Sequence, residues 1–296
     1  MQINSPLDRC LELSNVGYFG GDDVFCPEAW LNNFRDSELK YAEAILDNLI
    51  YVNQAQVRSL VRDTFSNLSK SIFNDGPTDL IASWESFVRN FVLVPVSDPE
   101  STGGQSGDTL VRIAKKAAGV NDSQIVGPEN AIERAMISSE SYIFFDDIVG
   151  SADQFVKFWR HNWFKSNSFS SVLQKWSIEP DEVAKPSFYY APLFAHERGI
   201  NRLAEDCQQV KVVPVYTLDD TYSAKNQNSI IWQGRFTQQE IDQFVIQTSR
   251  RAGIERDFWG HDQLALCLAL ETGVPDFCLP LLTHQSSNWN PLFRNL

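Results

Sequence analysis

The fold of this protein is decided by residues 142–154, whose sequence is YIFFDDIVGSADQ. Four apolar residues are followed at once by Asp146 and Asp147, and then by two apolar residues and the small pair Gly150 and Ser151. Such a run is typical of a buried strand that ends in two carboxylates and turns into a helix. At the carboxyl edge of an open parallel sheet, where α/β proteins bind ligands, this turn would offer carboxylate acceptors and backbone N–H donors together.

The chemistry of this turn suits a ribose phosphate. Adjacent carboxylates can accept hydrogen bonds from the two vicinal hydroxyls of ribose, and backbone N–H groups at the start of a helix can bind a phosphate. We therefore predict that Asp146 and Asp147 contact ribose, and that Gly150, Ser151 and Ala152 supply the phosphate-binding amides. The alternative is that the aspartates only cap the following helix, which is a common use of Asp.

Around this stretch, short apolar strands alternate with helical segments, which predicts an α/β fold built on a largely parallel, twisted sheet. We place strands at 91–96, 141–145, 187–194 and 210–216, and helices at 107–118, 152–163, 200–207 and from 238. Upstream, residues 37–73 carry apolar side chains at three- and four-residue steps, with Asn53 as a helix N-cap between two helices.

The chain is expected to divide into three parts. Residues 1–75 form an N-terminal helical lobe that ends at a cluster of Asn, Asp, Gly and Pro, which is typical of a break between elements. Residues 76–235 form the α/β core. Residues 236–296, which are less regular, form a helix and a C-terminal hood packed on the core. With 296 residues, of which 43% are hydrophobic, the chain can bury a large core.

A second turn, rich in glycine, follows the strand predicted at 91–96. It contains Gly103, Gly104, Ser106 and Gly107 and leads into the next helix. Glycines at such a turn let a phosphate approach the backbone closely. A flexible connector has the same composition, so both interpretations stay open at this point.

His196 follows the strand predicted at 187–194. In a parallel sheet it would lie at the same edge as the acidic pair, where an imidazole could transfer protons. A plain surface turn is an equally good interpretation of the residues that follow it. His261 and Gln263 stand in the C-terminal part beside apolar residues that we assign to the core.

Composition argues against several classes of function. The chain has 38 acidic and 25 basic residues and a formal net charge of −13, which would repel nucleic acid and anionic lipid. We therefore expect no strong direct contact with nucleic acid.

No apolar run approaches the ~20 residues that span a bilayer, and residues 1–6 lack the features of a signal peptide, so we expect no membrane contact and a cytoplasmic location. The cysteines and histidines are scattered without metal-ligand spacing, which argues against a dedicated metal site.

The spacing of residues 145–151 resembles the ribose-phosphate loop of type I phosphoribosyltransferases. In that family an apolar strand leads into two acidic residues, two apolar positions and a turn of small residues. A short loop after the first core strand contacts pyrophosphate, and the glycine-rich turn at 103–107 resembles it. The family usually has Gly where this chain has Ala152, and Gly or Thr where it has Asp153, whose charge would repel a 5′-phosphate.

From the helical lobe to the C-terminal residues 289–294, the chain resembles a divergent group of phosphoribosyltransferase-like proteins that act as effectors in bacterial conflict systems. Residues 260–266 and 274–276 also carry this resemblance. It implies an antiphage effector, or toxin, that is restrained in some settings by a reverse transcriptase and a winged-helix protein of a retron.

The resemblance further implies cleavage or transfer at the anomeric carbon of a nucleotide or of phosphoribosyl pyrophosphate. Asp146 and Asp147 would then act on the ribose, with Mg²⁺ bridged to them through water. The position of His196 at the same sheet edge, rather than the resemblance, makes it the third predicted catalytic residue. His261 and Gln263 in the hood would face the base. Two other interpretations stay open: a non-catalytic subunit that senses a nucleotide or scaffolds a complex, and a metabolic phosphoribosyltransferase.

Overall fold

The computed structural model of the protein describes residues 5–21, 23–73, 79–100, 106–178 and 184–294, with the backbone alone at Ser106. Contacts group the chain into two compact units. The first consists of Met1–Val57 and Leu218–Leu296, and the second of Arg58–Thr217. The three-part division drawn from the sequence stays a prediction. Among the helices of the described residues, none has the length and apolar character needed to cross a bilayer.

Helices and strands alternate along much of the chain. The helices are α1 (Pro6–Asn15), α2 (Pro27–Leu31), α3 (Asp36–Asp47), α4 (Gln54–Phe73), α5 (Leu80–Asn90), α6 (Ser106–Ala118), α7 (Pro128–Ala135), α8 (Asp153–Arg160), α9 (Phe169–Trp176), α10 (Glu197–Asp206) and α11 (Gln238–Ala252). The strands are β1 (Ile50–Val52), β2 (Phe91–Pro95), β3 (Ser141–Val149), β4 (Ser187–His196), β5 (Val210–Val212), β6 (Tyr216–Leu218) and β7 (Leu268–Leu270).

The second unit is built on a parallel sheet. Strands β2, β3, β4 and β5 lie side by side in that order and all run in the same direction, while β6 pairs with β4. The register places Phe144 beside Val94 of β2 on one side and beside Tyr190 of β4 on the other. Most residues of β2, β3 and β4 are buried, as expected for parallel strands covered on both faces. The predicted α/β fold with a largely parallel sheet is confirmed.

Two strand boundaries were predicted wrongly. The strand expected to end at residue 145 continues through the acidic pair to Val149, because β4 is long enough to pair with β3 as far as Ala195. The strand expected at 210–216 is divided into β5 and β6. Pro214 lies between them, and a proline cannot donate a backbone hydrogen bond to a neighbouring strand.

A cluster of aromatic rings holds α8 and α9 against the sheet. Phe144 is fully buried on β3, and its ring packs edge-on against rings of both helices, with the closest centroid distance, 4.8 Å, to Phe169. The other rings around it are Phe155, Phe158 and Trp159. Because α8 begins four residues after β3 ends, this packing fixes the position of the turn that joins them.

In the first unit, helices pack around aromatic residues and a short parallel strand pair, β1 with β7. The guanidinium of Arg251 on α11 forms two hydrogen bonds, of 2.6 and 2.8 Å, with the carboxylate of Glu38 on α3. Asn53 caps α4 as predicted, since its Oδ1 accepts a 3.0 Å hydrogen bond from the N–H of Gln56. The continuous helical pattern predicted at 37–73 is interrupted by β1, which the sequence analysis missed.

Candidate functional site

Three strand-to-helix turns of the second unit lie at one edge of the sheet. They join β2 to α6, β3 to α8 and β4 to α10. Because these strands are adjacent and parallel, their carboxyl ends meet at the same edge, which is where open α/β sheets bind ligands. The turn at 150–152, Gly107 and His196 therefore share this edge of the sheet.

The two residues of the acidic pair differ in burial. Asp146 is 3% exposed, and the hydroxyl of Tyr190 donates a 3.0 Å hydrogen bond to its Oδ2. The Tyr190 ring stacks on Phe155 of α8 at a centroid distance of 3.9 Å, so Asp146 points to the face of the sheet that α8 covers. Asp147, the next residue of the strand, is only half-buried, and its carboxyl interacts directly with that of Asp146.

Burial changes the ionisation of Asp146. Removal from water raises the pKa of its carboxyl well above the ordinary value of 3.8, and the neighbouring charge of Asp147 raises this pKa further. Hydrogen bonds from Tyr190 and from the N–H of Asp147 oppose this shift. Burial also raises the pKa of Tyr190, whose hydroxyl therefore stays a donor. Asp146 is a buried carboxyl that ionises less readily than an exposed one, and Asp147 is the more accessible carboxyl of the pair.

The turn after β3 is packed tightly against α10. Gly150 is buried, and a Cβ atom placed on Gly199 would overlap its carbonyl oxygen, so the first turn of α10 contacts the backbone of the β3–α8 turn directly. Ala152 precedes α8 with φ +67° and ψ +7°, in the left-handed region where glycine is usually found. The backbone therefore adopts a glycine-like conformation at the position where phosphoribosyltransferases usually carry Gly.

The charge of Asp153 is compensated by an arginine that the sequence analysis did not single out. Nη1 of Arg202 lies 2.6 Å from Oδ1 of Asp153 and donates a 3.3 Å hydrogen bond to the carbonyl oxygen of Ser151. Arg202 also contacts Asp206 on its own helix at 3.3 Å, and Asp206 pairs with Arg160 at 2.7 Å. These alternating charges join α8 to α10 along their length.

The glycine-rich turn is described only in part. Gly103 and Gly104 lie outside the described residues, and Ser106 contributes only its backbone, as the first residue of α6. Gly107 is buried, and a Cβ atom at this position would overlap the backbone of Val96 just after β2. Glycine is therefore required here for close contact between helix and strand, and the predicted pyrophosphate-binding role of this turn stays a prediction.

The remaining predicted site residues fall in different environments. His196 ends β4 with 1% exposure, and its Nδ1 accepts a 3.3 Å hydrogen bond from the N–H of Arg198, so it caps α10. His261 and Gln263 are exposed in a 3-10 turn of the first unit, where Gln263 accepts a hydrogen bond from Lys225. Their proposed roles in catalysis and in facing a base stay predictions.

A cavity of about 730 Å³ lies at the other edge of the same sheet. Its lining includes Ser187 and Phe188 at the start of β4 and Asp206 at the end of α10. These residues mark the amino edge, whereas the acidic turn is at the carboxyl edge. This cavity is therefore separate from the predicted ribose-phosphate turn, which lies at the carboxyl edge.

Sequence reasoning missed Tyr190 and Arg202 at this site. Tyr190 is one of several aromatic residues in an apolar strand, and nothing local distinguishes it from core residues. The spacing of Arg202 and Asp206 on one helix face was visible in the sequence. The contact of Arg202 with Asp153 was not visible, because it joins different helices.

A family model matches most of the chain. The family model named PRTase-CE, which describes a phosphoribosyltransferase-like family, matches residues 27–295. Among curated proteins, none matches the sequence. The match spans most of the chain and includes both units, so it covers the acidic turn as well as the C-terminal residues.

Proposed function

The chain belongs to the PRTase-CE family, and from this premise we propose that its β3–α8 turn binds the ribose 5-phosphate part of a nucleotide or of phosphoribosyl pyrophosphate. The observation that carries the proposal is the junction of parallel β3 with α8. This junction directs one accessible carboxylate, Asp147, and the start of a helix toward the edge of the sheet that binds ligands.

Each part of the turn has a role in this proposal. The carboxylate of Asp147 accepts hydrogen bonds from the ribose hydroxyls, and it can hold Mg²⁺ through a bridging water. The backbone N–H groups of Gly150, Ser151 and Ala152 face the 5′-phosphate, aided by the dipole of α8. Asp146 supports Asp147 from the protein interior by accepting the hydrogen bond of Tyr190.

The reaction that such a site supports is cleavage at the anomeric carbon of the ribose. The bond between that carbon and its leaving group breaks through an oxocarbenium-like state, and a base or water adds to the same carbon. Addition of water makes the protein a nucleotide hydrolase, whereas addition of a base makes it a transferase. The half-buried carboxylate of Asp147 favours the positive charge that develops on the ribose.

The biological role we propose is that of an antiphage effector whose activity is restrained by partner proteins in a retron-type complex. Support for this role comes from the resemblance of the motifs at 145–151, 103–107 and 260–266 to effectors of bacterial conflict systems. Expression of the chain without its partners is then expected to slow cell growth and to lower one nucleotide pool.

A nucleotide sensor without catalysis is the second candidate, and two observations favour it. Asp146 is buried among core residues, so only one carboxylate of the pair is accessible. Asp153, paired with Arg202, places a carboxylate at the position where the family usually has Gly or Thr. In this case the chain binds the same ligand, and no nucleotide is consumed.

Titration calorimetry with ribose 5-phosphate and with phosphoribosyl pyrophosphate, each with and without Mg²⁺, tests the proposal. Asp147→Asn is expected to weaken binding by about tenfold or more, since a charge-assisted hydrogen bond contributes about 1.5–3 kcal/mol. Asp63→Asn, an exposed change on α4, is the matched control and should bind like the wild type. Absence of binding by the wild type would refute the proposal.

Nucleotide pools measured in cells separate the two candidates. Loss of one nucleotide on expression of the wild type, but not of Asp147→Asn, identifies an enzyme. Unchanged pools together with binding in the calorimeter identify a sensor.

A further inference from the structure

We propose that Arg202 is a phosphate-binding residue of the β3–α8 turn, and that the carboxylate of Asp153 occupies the phosphate position until a ligand displaces it. This inference rests on the proposed function, because it assumes that the turn binds a phosphate. It assigns a role to the residue at which the chain departs from the phosphoribosyltransferase pattern.

The carboxylate of Asp153 takes up donors that a phosphate would use. Its Oδ2 accepts a 3.1 Å hydrogen bond from the hydroxyl of Ser151, and its Oδ1 lies 2.6 Å from Nη1 of Arg202. The N–H of Asp153 is directed to Oγ of Ser151 at 3.4 Å. A hydroxyl and a guanidinium are donors that commonly bind phosphate groups, and here both contact an internal carboxylate at the start of α8.

Exchange between the carboxylate and a phosphate is feasible because the pair is accessible to water. The side chains of Asp153 and Arg202 are each 40% exposed. Ion pairs of this exposure contribute little to stability, so a ligand can displace the carboxylate without disrupting the fold. A phosphate also carries more charge than a carboxylate and offers a geometry that a guanidinium can bind through two hydrogen bonds.

Arg202 stays in place when Asp153 moves away. Its Nε contacts Oδ2 of Asp206 at 3.3 Å, and its Nη1 donates to the Ser151 carbonyl at 3.3 Å. Asp206 is itself held by Arg160 at 2.7 Å. The guanidinium is therefore oriented by contacts other than Asp153, and it remains at the turn to meet an incoming phosphate.

The test measures binding of ribose 5-phosphate, ribose and inorganic phosphate to the full chain by titration calorimetry. Asp153→Asn keeps the shape of the side chain, replaces one of its two acceptor oxygens by an NH2 donor and removes its charge. It should bind ribose 5-phosphate about two- to fivefold more tightly than the wild type, as expected when a competing surface ion pair is lost. Its binding of ribose, which has no phosphate, should not change.

Loss of the arginine should have the opposite effect. Arg202→Gln should weaken binding of ribose 5-phosphate by about tenfold, and Arg202→Lys, which keeps the charge but not the planar group, should fall between it and the wild type. The double variant Asp153→Asn with Arg202→Gln should lose the gain of the single Asp153 variant. Asp122→Asn and Arg89→Gln each remove one charge from another exposed ion pair of the same unit and serve as controls.

The outcomes separate this inference from the proposed function. Equal affinities for ribose 5-phosphate in the wild type, Asp153→Asn and Arg202→Gln would overturn the inference while the proposed function stands. Tighter binding by Asp122→Asn as well would also overturn it, because the effect would then follow net charge alone. If neither the wild type nor any variant binds ribose 5-phosphate, both the inference and the proposed function are refuted. Circular dichroism of each variant verifies that it is folded.

Discussion

Replacement of Asp146 by asparagine should make the stability of the protein less dependent on pH. Asp146 is 3% exposed, and burial raises the pKa of its carboxyl well above 3.8 in the folded state. In the unfolded chain the carboxyl regains its ordinary pKa. Above pH 3.8 the unfolded chain therefore releases a proton that the folded protein keeps, and the folded state loses stability as the pH rises.

The size of this effect follows from proton linkage. Between the unfolded and the folded pKa of Asp146, the wild type loses about 1.4 kcal/mol of unfolding free energy for each pH unit. The asparagine side chain of the variant does not titrate, and its amide oxygen can still accept the hydrogen bond from Tyr190. The free energy of unfolding of Asp146→Asn, minus that of the wild type, should therefore increase as the pH rises above 3.8.

Urea unfolding of both proteins over a pH series measures this difference. Asp206→Asn is the control of opposite sign, because hydrogen bonds from Arg160 and Arg202 lower the pKa of Asp206. Its contribution to stability is present above its ordinary pKa and is lost as the pH falls. A difference between Asp146→Asn and the wild type that is constant with pH would show that Asp146 is ionised in the folded protein. That result would refute the raised pKa of the Asp146 carboxyl in the folded protein.

Three further substitutions test the packing around the turn, each by thermal or urea unfolding. Gly199→Ala should lower the free energy of unfolding by about 1–3 kcal/mol, because the added Cβ atom would overlap the carbonyl oxygen of Gly150. Gly127→Ala is the control and should leave the stability unchanged, because a Cβ atom there meets no atom within 4 Å. Ala152→Val should lower the free energy of unfolding by about 1–3 kcal/mol, since a β-branched residue is strained at φ +67°. Equal stability of this variant and the wild type would contradict the left-handed conformation. Tyr190→Phe should cost about 1–3 kcal/mol through the loss of the donor to a buried carboxyl; an unchanged stability would contradict that hydrogen bond.

The local parts of the site were predicted from the sequence because they depend on short-range patterns. An apolar run, an acidic pair and small residues predicted a strand, a turn and the helix α8, and all three are present. Alternation of strands and helices also predicted the parallel sheet, since parallel strands require crossover connections. The end of β3 was predicted wrongly, because strand length depends on the partner strand β4 rather than on the acidic residues themselves.

The tertiary structure alone decided which of these residues are buried and which side chains they contact. Two adjacent aspartates look equivalent in the sequence, yet α8 covers one face of β3, and this makes Asp146 a buried acid and leaves Asp147 accessible. Tyr190, the partner of Asp146, is 44 residues away in the chain. Arg202 likewise meets Asp153 only because α8 and α10 follow neighbouring strands. Local sequence sets which backbone conformations are favoured, whereas burial and charge pairing depend on which distant side chains the sheet brings into contact.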